Sequence, residues 1–182
     1  DPRHPARHSI WTSVLDPAQR KLYEIERSRF DDAATFIRNA VVLKMHKPRG
    51  AERTWSGPVH EEMEEFGQLI ETHRPLIIFS FGAFACEFAL RSFRTPRLRR
   101  EILPFRAWSA KALGTEFLKA CVTFKTTRVN LVPLLHASIA RGRFLESHRD
   151  FCAMEGANYF EFAGEKIAGL LRMGRNHGVK FL

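Results

Sequence analysis

The sequence predicts a three-layer α/β/α domain built on a parallel sheet. Two short apolar runs, "PLIIFSF" at 75–81 and "VNLVPLL" at 129–135, have the length and continuity of strands buried on both faces. Each gives way to a helical pattern, and strand–helix alternation is the mark of parallel sheets covered by helices. At 182 residues the chain fits a single domain, 1–182, with room for a substantial core.

Taken in order, the first fifteen residues, "DPRHPARHSIWTSVL", hold two prolines, two histidines and two arginines and read as a loop. Asp16-Pro17 then reads as an N-cap with proline at the first helical position, opening a helix through "AQRKLYEIERSRF". Its Leu22 and Ile25 beside Glu26 and Arg29 make a partly amphipathic face. "ATFIRNAVVLKM" is rich in β-branched and aromatic residues and reads as a strand that carries Asn39. After the turn-rich "HKPRGAERTWSGP", the segment "VHEEMEEFGQLIETH" predicts a helix whose acidic first turn suits the helix dipole. Pro75 opens the next strand, and Gly82 leads into a helix over "GAFACEFALRSF". The basic stretch 94–128 has no clear period, and "RTPRLRREILPFRAW" within it reads as a surface excursion. "VNLVPLL" is the next buried strand and delivers His136, after which "RFLESHRDFCAM" and "YFEFAGEKIAGLLRM" read as closing helices. The chain contains no internal repeat and no low-complexity tract.

Composition narrows the function classes. With 45% hydrophobic and 12% aromatic residues the chain is expected to fold. Its longest apolar runs are too short and too interrupted to span a bilayer, and its opening residues carry no signal-peptide pattern. The three cysteines, Cys86, Cys121 and Cys152, are widely separated and odd in number, which points to a reducing compartment and rules out a four-thiolate iron–sulfur site. The eight histidines show no zinc-ligand spacing, so no metal is expected. A net charge of +9 favours a polyanionic partner, nucleic acid first and an anionic membrane surface second.

In a parallel sheet, ligands bind beyond the carboxyl ends of the strands. Asn39 within one predicted strand, Gly82 just past another and His136 just past a third therefore converge on one predicted site.

Four pieces, in order and spacing, carry a family resemblance over roughly residues 1–150. "HASIARGRF" looks like a motif in which histidine is followed by proline, serine and an intercalating loop; "DPRHPARHSIW" looks like one that begins Asp-Pro-Tyr-His and leads to an aromatic residue. "FIRNAVVLK" resembles a strand carrying a base-reading asparagine, and "RPLIIFSFGAFACEFAL" resembles a strand–helix unit with a glycine and an alanine three residues later. Together they resemble the uracil-DNA glycosylase superfamily.

The resemblance implies a mostly parallel four-stranded sheet whose first strand falls upstream of Asp1. It also implies a DNA-repair enzyme for base excision repair: a monofunctional glycosylase that flips uracil out of DNA and hydrolyses its glycosidic bond without a cofactor. Such a bond breaks through an oxocarbenium-like sugar, with negative charge collecting on the departing base. In that scheme Asp1 stabilises the cation and orients water, while His136 donates to the developing oxyanion. Asn39 reads the uracil edge, Trp11 stacks on the flipped base, and His4 and Arg3 border the substrate. Ser138, Ile139, Arg141, Arg143 and Gly82 contact the DNA around it. The resemblance implies DNA as partner, a monomer, and location with the DNA, in the bacterial cytoplasm or the eukaryotic nucleus.

Arg3 and Ala137 depart from the family pattern, which has tyrosine and proline there. The tyrosine crowds a thymine methyl, so Arg3 implies weaker rejection of 5-substituted uracils. No leucine wedge is obvious, and Ile139, Arg141 or Phe144 are substitutes. Plainer readings stand beside these roles: His136 as a structural strand-end histidine, Asn39 as a turn or bulge residue, Trp11 as core, Asp1 as an ordinary terminal residue, and Ser138 with its arginines as a solvated turn. The alternative function is a superfamily-like protein that binds DNA or abasic sites without turnover.

Overall fold

The computed structural model describes residues 11–31, 33, 35–41, 48–55, 57–93, 103–141 and 145–182. Among these, helices dominate: α1 (Thr12–Glu26), α2 (Pro58–His73), α3 (Ala83–Ser92), α4 (Ala110–Val122), α5 (Ala137–Ala140), α6 (Leu145–Cys152) and α7 (Tyr159–Gly174). Two strands, β1 (Ile77–Phe81) and β2 (Asn130–Leu134), pair in parallel with Ile77 opposite Asn130 and Phe81 opposite Leu134. The connection between them runs through α3 and α4, the crossover that a parallel pair requires.

The predicted four-stranded, three-layer sheet is not formed: the sheet among the described residues has two strands. Residues 35–41 of the expected Asn39 strand are irregular, and residues 42–47 lie outside the described residues. A competing set of contacts explains this. Arg38 forms a largely buried ion pair with Glu62 of α2 at 2.5 Å and lies over the Phe66 ring at 5.4 Å. Ala40 and Val41 pack against a small cluster of Trp55, Val59, Met63 and Phe88. Strand propensity is largely a preference for packing on a pleated surface, and here Ala40 and Val41 pack on the Trp55 cluster while Phe36 and Ile37 stay exposed, so no pleated face is buried.

α1 also departs from expectation. It starts at Thr12, with Trp11 as N-cap, and Pro17 falls inside it. The apolar spacing explains the earlier start: Trp11, Val14, Leu15, Ala18 and Leu22 all bury on one stripe that runs through the proline. Pro17 removes one helical hydrogen bond, but its ring sits against α7, where Gly164 makes room. A Cβ on Gly164 would lie 2.5 Å from Pro17 Cβ and 2.9 Å from the Ala18 nitrogen.

α4 was hidden within the basic stretch. Ser109 caps it by accepting from the Ala112 N–H at 3.2 Å, and Leu113, Gly114 and Phe117 form its buried face. The main core joins α1, α4, α6, α7 and β2 through Val14, Leu22, Phe117, Val132, Phe151, Tyr159 and Ile167. No helix among the described residues is long and apolar enough to cross a membrane.

The crossing of α4 with α6 is the tightest glycine contact, since a Cβ at Gly114 would lie 2.0 Å from the Phe151 carbonyl oxygen. Backbone cannot yield as a side-chain tip can, so Gly114→Ala is expected to destabilise by about 1–3 kcal/mol despite alanine's better helix propensity. Gly169, also helical, has nothing within 4 Å of its missing Cβ, and Gly169→Ala is expected to stabilise by about 0.5–1 kcal/mol. Urea midpoints moving in opposite directions for the two variants would check the packing.

Candidate functional site

The site grows from the shared end of the parallel pair. Past β1, the Gly82 N–H donates to the Leu134 carbonyl at 2.7 Å, closing the ladder one step beyond the strands. Gly82 has φ +93°, which glycine alone adopts readily, and a Cβ there would lie 3.0 Å from His136 Cβ. Two predicted residues, distant in sequence, thus meet at the carboxyl ends of adjacent strands.

His136 is the N-cap of α5, with extended backbone. Its Nδ1 accepts the Ser138 backbone N–H at 3.2 Å and lies 2.7 Å from Ser138 Oγ. A proton on Nδ1 would face that N–H, so the neutral ring carries its proton on Nε2. The result is a half-buried imidazole whose Nε2–H is a donor and whose Nδ1 is held against its own turn. Ser138 and Ile139 are exposed beside it. Behind it, the buried Tyr159 hydroxyl accepts the Leu135 N–H at 3.0 Å.

The remaining predicted residues are placed less favourably. Arg141 is exposed, and its Nη2 donates to Ser13 Oγ at the start of α1, 2.5 Å away. Trp11 is buried in the main core, and Asn39 is exposed on the irregular segment rather than on a strand. Asp1, Arg3, His4, Arg143, Phe144 and the arginines of "RTPRLRR" lie outside the described residues.

A second polar cluster anchors the descending end of the basic excursion. Glu87, almost wholly buried in α3, accepts from Arg91 Nε (2.8 Å), Trp108 Nε1 (2.8 Å) and the Leu103 N–H (3.2 Å). Arg91 lies 3.8 Å over the Trp55 ring and donates to the carbonyls of Arg53 and Leu103. Such a carboxylate is tolerated in the interior because every contact to it is a donor.

Clefts elsewhere do not coincide with this chemistry. One of about 340 Å³ lies between α1 and α7, lined by Arg20, Glu24, Asn158 and Glu161; another of about 480 Å³ is lined by Asp31, Arg175 and Lys180. An ion pair between Arg20 and Glu161 lies within the first. His136, Gly82 and Ser138 line neither, and concavity alone is a weaker guide than convergent strand ends with an oriented imidazole. Among the described residues no group of three His, Cys, Asp or Glu side chains is placed to hold a metal ion.

Sequence reasoning missed His148, Tyr159 and Ser13, whose contacts to the His136 segment join separate elements. Glu87 and Arg91 had a usable signal, an i, i+4 pair of opposite charge inside an apolar helix. The chain matches no protein-family model, no curated protein and no solved structure.

Burial pushes the thiols of Cys121 and Cys152 up to about 11 each, with Lys166 partly offsetting the effect at Cys121. It raises the Tyr159 phenol further still, so the hydroxyl stays protonated. None of these is a thiolate or phenolate nucleophile at neutral pH. In the unfolded chain the thiols ionise near 9.0, whereas in the fold they hold their protons towards about 11. The unfolded state therefore binds fewer protons in that window. The thiols' contribution to stability is expected to be fully present below 9.0 and to be lost as pH rises towards about 11. Denaturant titrations at stepped alkaline pH would measure the slope, which should shrink in Cys152→Ala.

Proposed function

We propose that the chain is a DNA-repair glycosylase acting on uracil, or another deaminated base, flipped out of DNA. The observation that carries this reading is His136: an imidazole at the ends of two parallel strands whose Nδ1 is occupied by the Ser138 turn, which puts the proton of the neutral ring on Nε2. A departing uracil needs a donor at the oxygen where negative charge collects, and a neutral imidazole supplies one without a proton transfer. The net charge of +9 supports a polyanionic substrate. The family resemblance adds Asp1 as the carboxylate for the sugar cation and for orienting water, and Ser138 as a phosphate contact. Water then completes a hydrolysis that leaves an abasic site.

One placement favours the alternative, a protein that binds DNA or abasic sites without turnover: Asn39 is off the strand from which it would read a base. Arg141 is engaged by Ser13, which weighs against its contact with DNA in either reading.

Incubation with a uracil-containing oligonucleotide followed by alkaline cleavage separates the two. Strand breaks at uracil are expected from the parent chain, with His136→Ala about 10²-fold slower in single turnover and its DNA binding retained. Binding without breaks would establish the alternative, and neither binding nor breaks would end both readings.

Electrostatics offers an independent check. If about four to six phosphates are neutralised, log K should fall against log salt with a slope of roughly −4 to −5. Arg141→Ala should make that slope shallower by up to about one unit if the guanidinium leaves Ser13 for a phosphate. An unchanged slope would assign Arg141 to tying α5 to α1.

A further inference from the structure

We propose that Tyr159 and His148 are positioning residues that bracket the His136 turn from behind and set the direction of its Nε2–H. The proposal rests on the reading of His136 as the donor to the departing base, and it deepens that reading by naming what aims the donor.

α5 cannot hold itself. It is four residues long, and its own support from His136 is two hydrogen bonds, Ile139 N–H and Ala140 N–H to the His136 carbonyl at 2.9 and 3.1 Å. A single turn has no cooperative stability of its own. Its rigidity must come from outside, and the buried polar groups behind it supply that support.

At the leading end, the Leu135 N–H donates to the Tyr159 hydroxyl at 3.0 Å, and that hydroxyl donates back to the Leu135 carbonyl at 3.4 Å. At the trailing end, His148 Nε2 lies 2.6 Å from the Ala140 carbonyl. A carbonyl accepts only, so His148 carries its proton on Nε2 and its Nδ1 is an acceptor. That Nδ1 takes the Tyr159 backbone N–H at 3.3 Å. The chain of bonds therefore closes, from Leu135 through Tyr159 and His148 to Ala140, with His136 and Ser138 inside the bracket.

The bracket is itself rigid. Tyr159 is fully buried and His148 nearly so. The Tyr159 ring meets Phe151 edge-on at 4.9 Å and Phe160 at 5.2 Å, with His148 at 5.8 Å. Burial also raises the phenol, which keeps the donor proton on its oxygen. A locked layer of buried side chains behind a short turn is what converts a half-buried histidine into an oriented one.

The test uses the full chain with Tyr159→Phe, His148→Ala and His148→Gln. Nitrogen shifts of the His136 ring report its tautomer, and amide hydrogen exchange reports the turn. Tyr159→Phe and His148→Ala are expected to lower the Nε2–H population of His136. They should also speed exchange across residues 135–140 by about tenfold while α4 amides are unmoved. On uracil-containing single strands kcat should fall by about tenfold with KM within about twofold. His148→Gln, which restores a donor and an acceptor, should recover most of both effects. Folded Tyr159→Phe and His148→Ala proteins with an unchanged His136 tautomer and unchanged exchange at 135–140 would overturn the proposal. Should Tyr159→Phe fail to fold, the two His148 variants decide it alone. A parent chain that leaves uracil in place ends the glycosylase reading, yet the tautomer and exchange measurements still decide whether the bracket positions His136.

Discussion

Parallel pairing of Ile77–Phe81 with Asn130–Leu134 is the constraint on which the site depends. Parallel strands must end on the same side, and so the turns that follow them must meet. The register sets Phe81 opposite Leu134, and one further ladder bond from Gly82 brings that glycine under His136. The described helices between the strands serve that closure. α3 leaves from Gly82, α4 returns along β2, and Asn130 organises the entry to β2. The Asn130 amide is shared among the carbonyls of Leu76, Lys125 and Arg128, while its oxygen accepts from the Lys125 N–H.

Three sets of buried polar residues sit at junctions between elements. Asn130 ties the loop before β2 to the start of β1, Glu87 with Arg91 ties α3 to the loops around Trp55 and Leu103, and His148 with Tyr159 ties α5 to α6 and α7. Each group has several partners, so the desolvation cost is offset and the partners are fixed in direction. Apolar contacts hold the helices together without specifying how a loop is aimed. These polar sets do specify it, and the loops they aim include the one that carries His136.

The helices follow the same division between bulk packing and specific fit. α1 and α7 face each other through Leu22, Ile167 and their neighbours, but the crossing is set by Pro17 against Gly164. α4 and α6 face each other through Phe117 and Phe151, with their approach set by Gly114 against the Phe151 carbonyl. A residue without a side chain is informative here because of what occupies the space instead.

The apolar runs at 75–81 and 129–135, the helices over 59–73, 83–92 and 159–173, and the position of His136 after a strand were all legible in the sequence. Each is a local pattern of periodicity or punctuation, and such patterns survive into the fold. Other features were decided only by tertiary structure. The residues around Asn39 have strand composition, but Arg38 is held by Glu62 and Val41 by the Trp55 cluster, so the third strand does not form there. Helix α4 was masked by the basic residues before it, and α1 begins ahead of the proline that reads as its opening, because burial of Trp11, Val14 and Leu15 outweighs one lost hydrogen bond. The sequence by itself determined which segments are apolar, where the chain turns and that His136 follows a buried strand, since those depend on neighbours along the chain. Which segments pair, which glycine lies under the histidine, and which buried side chains hold the turn were decided by contacts between residues far apart in sequence, and no local pattern encodes those.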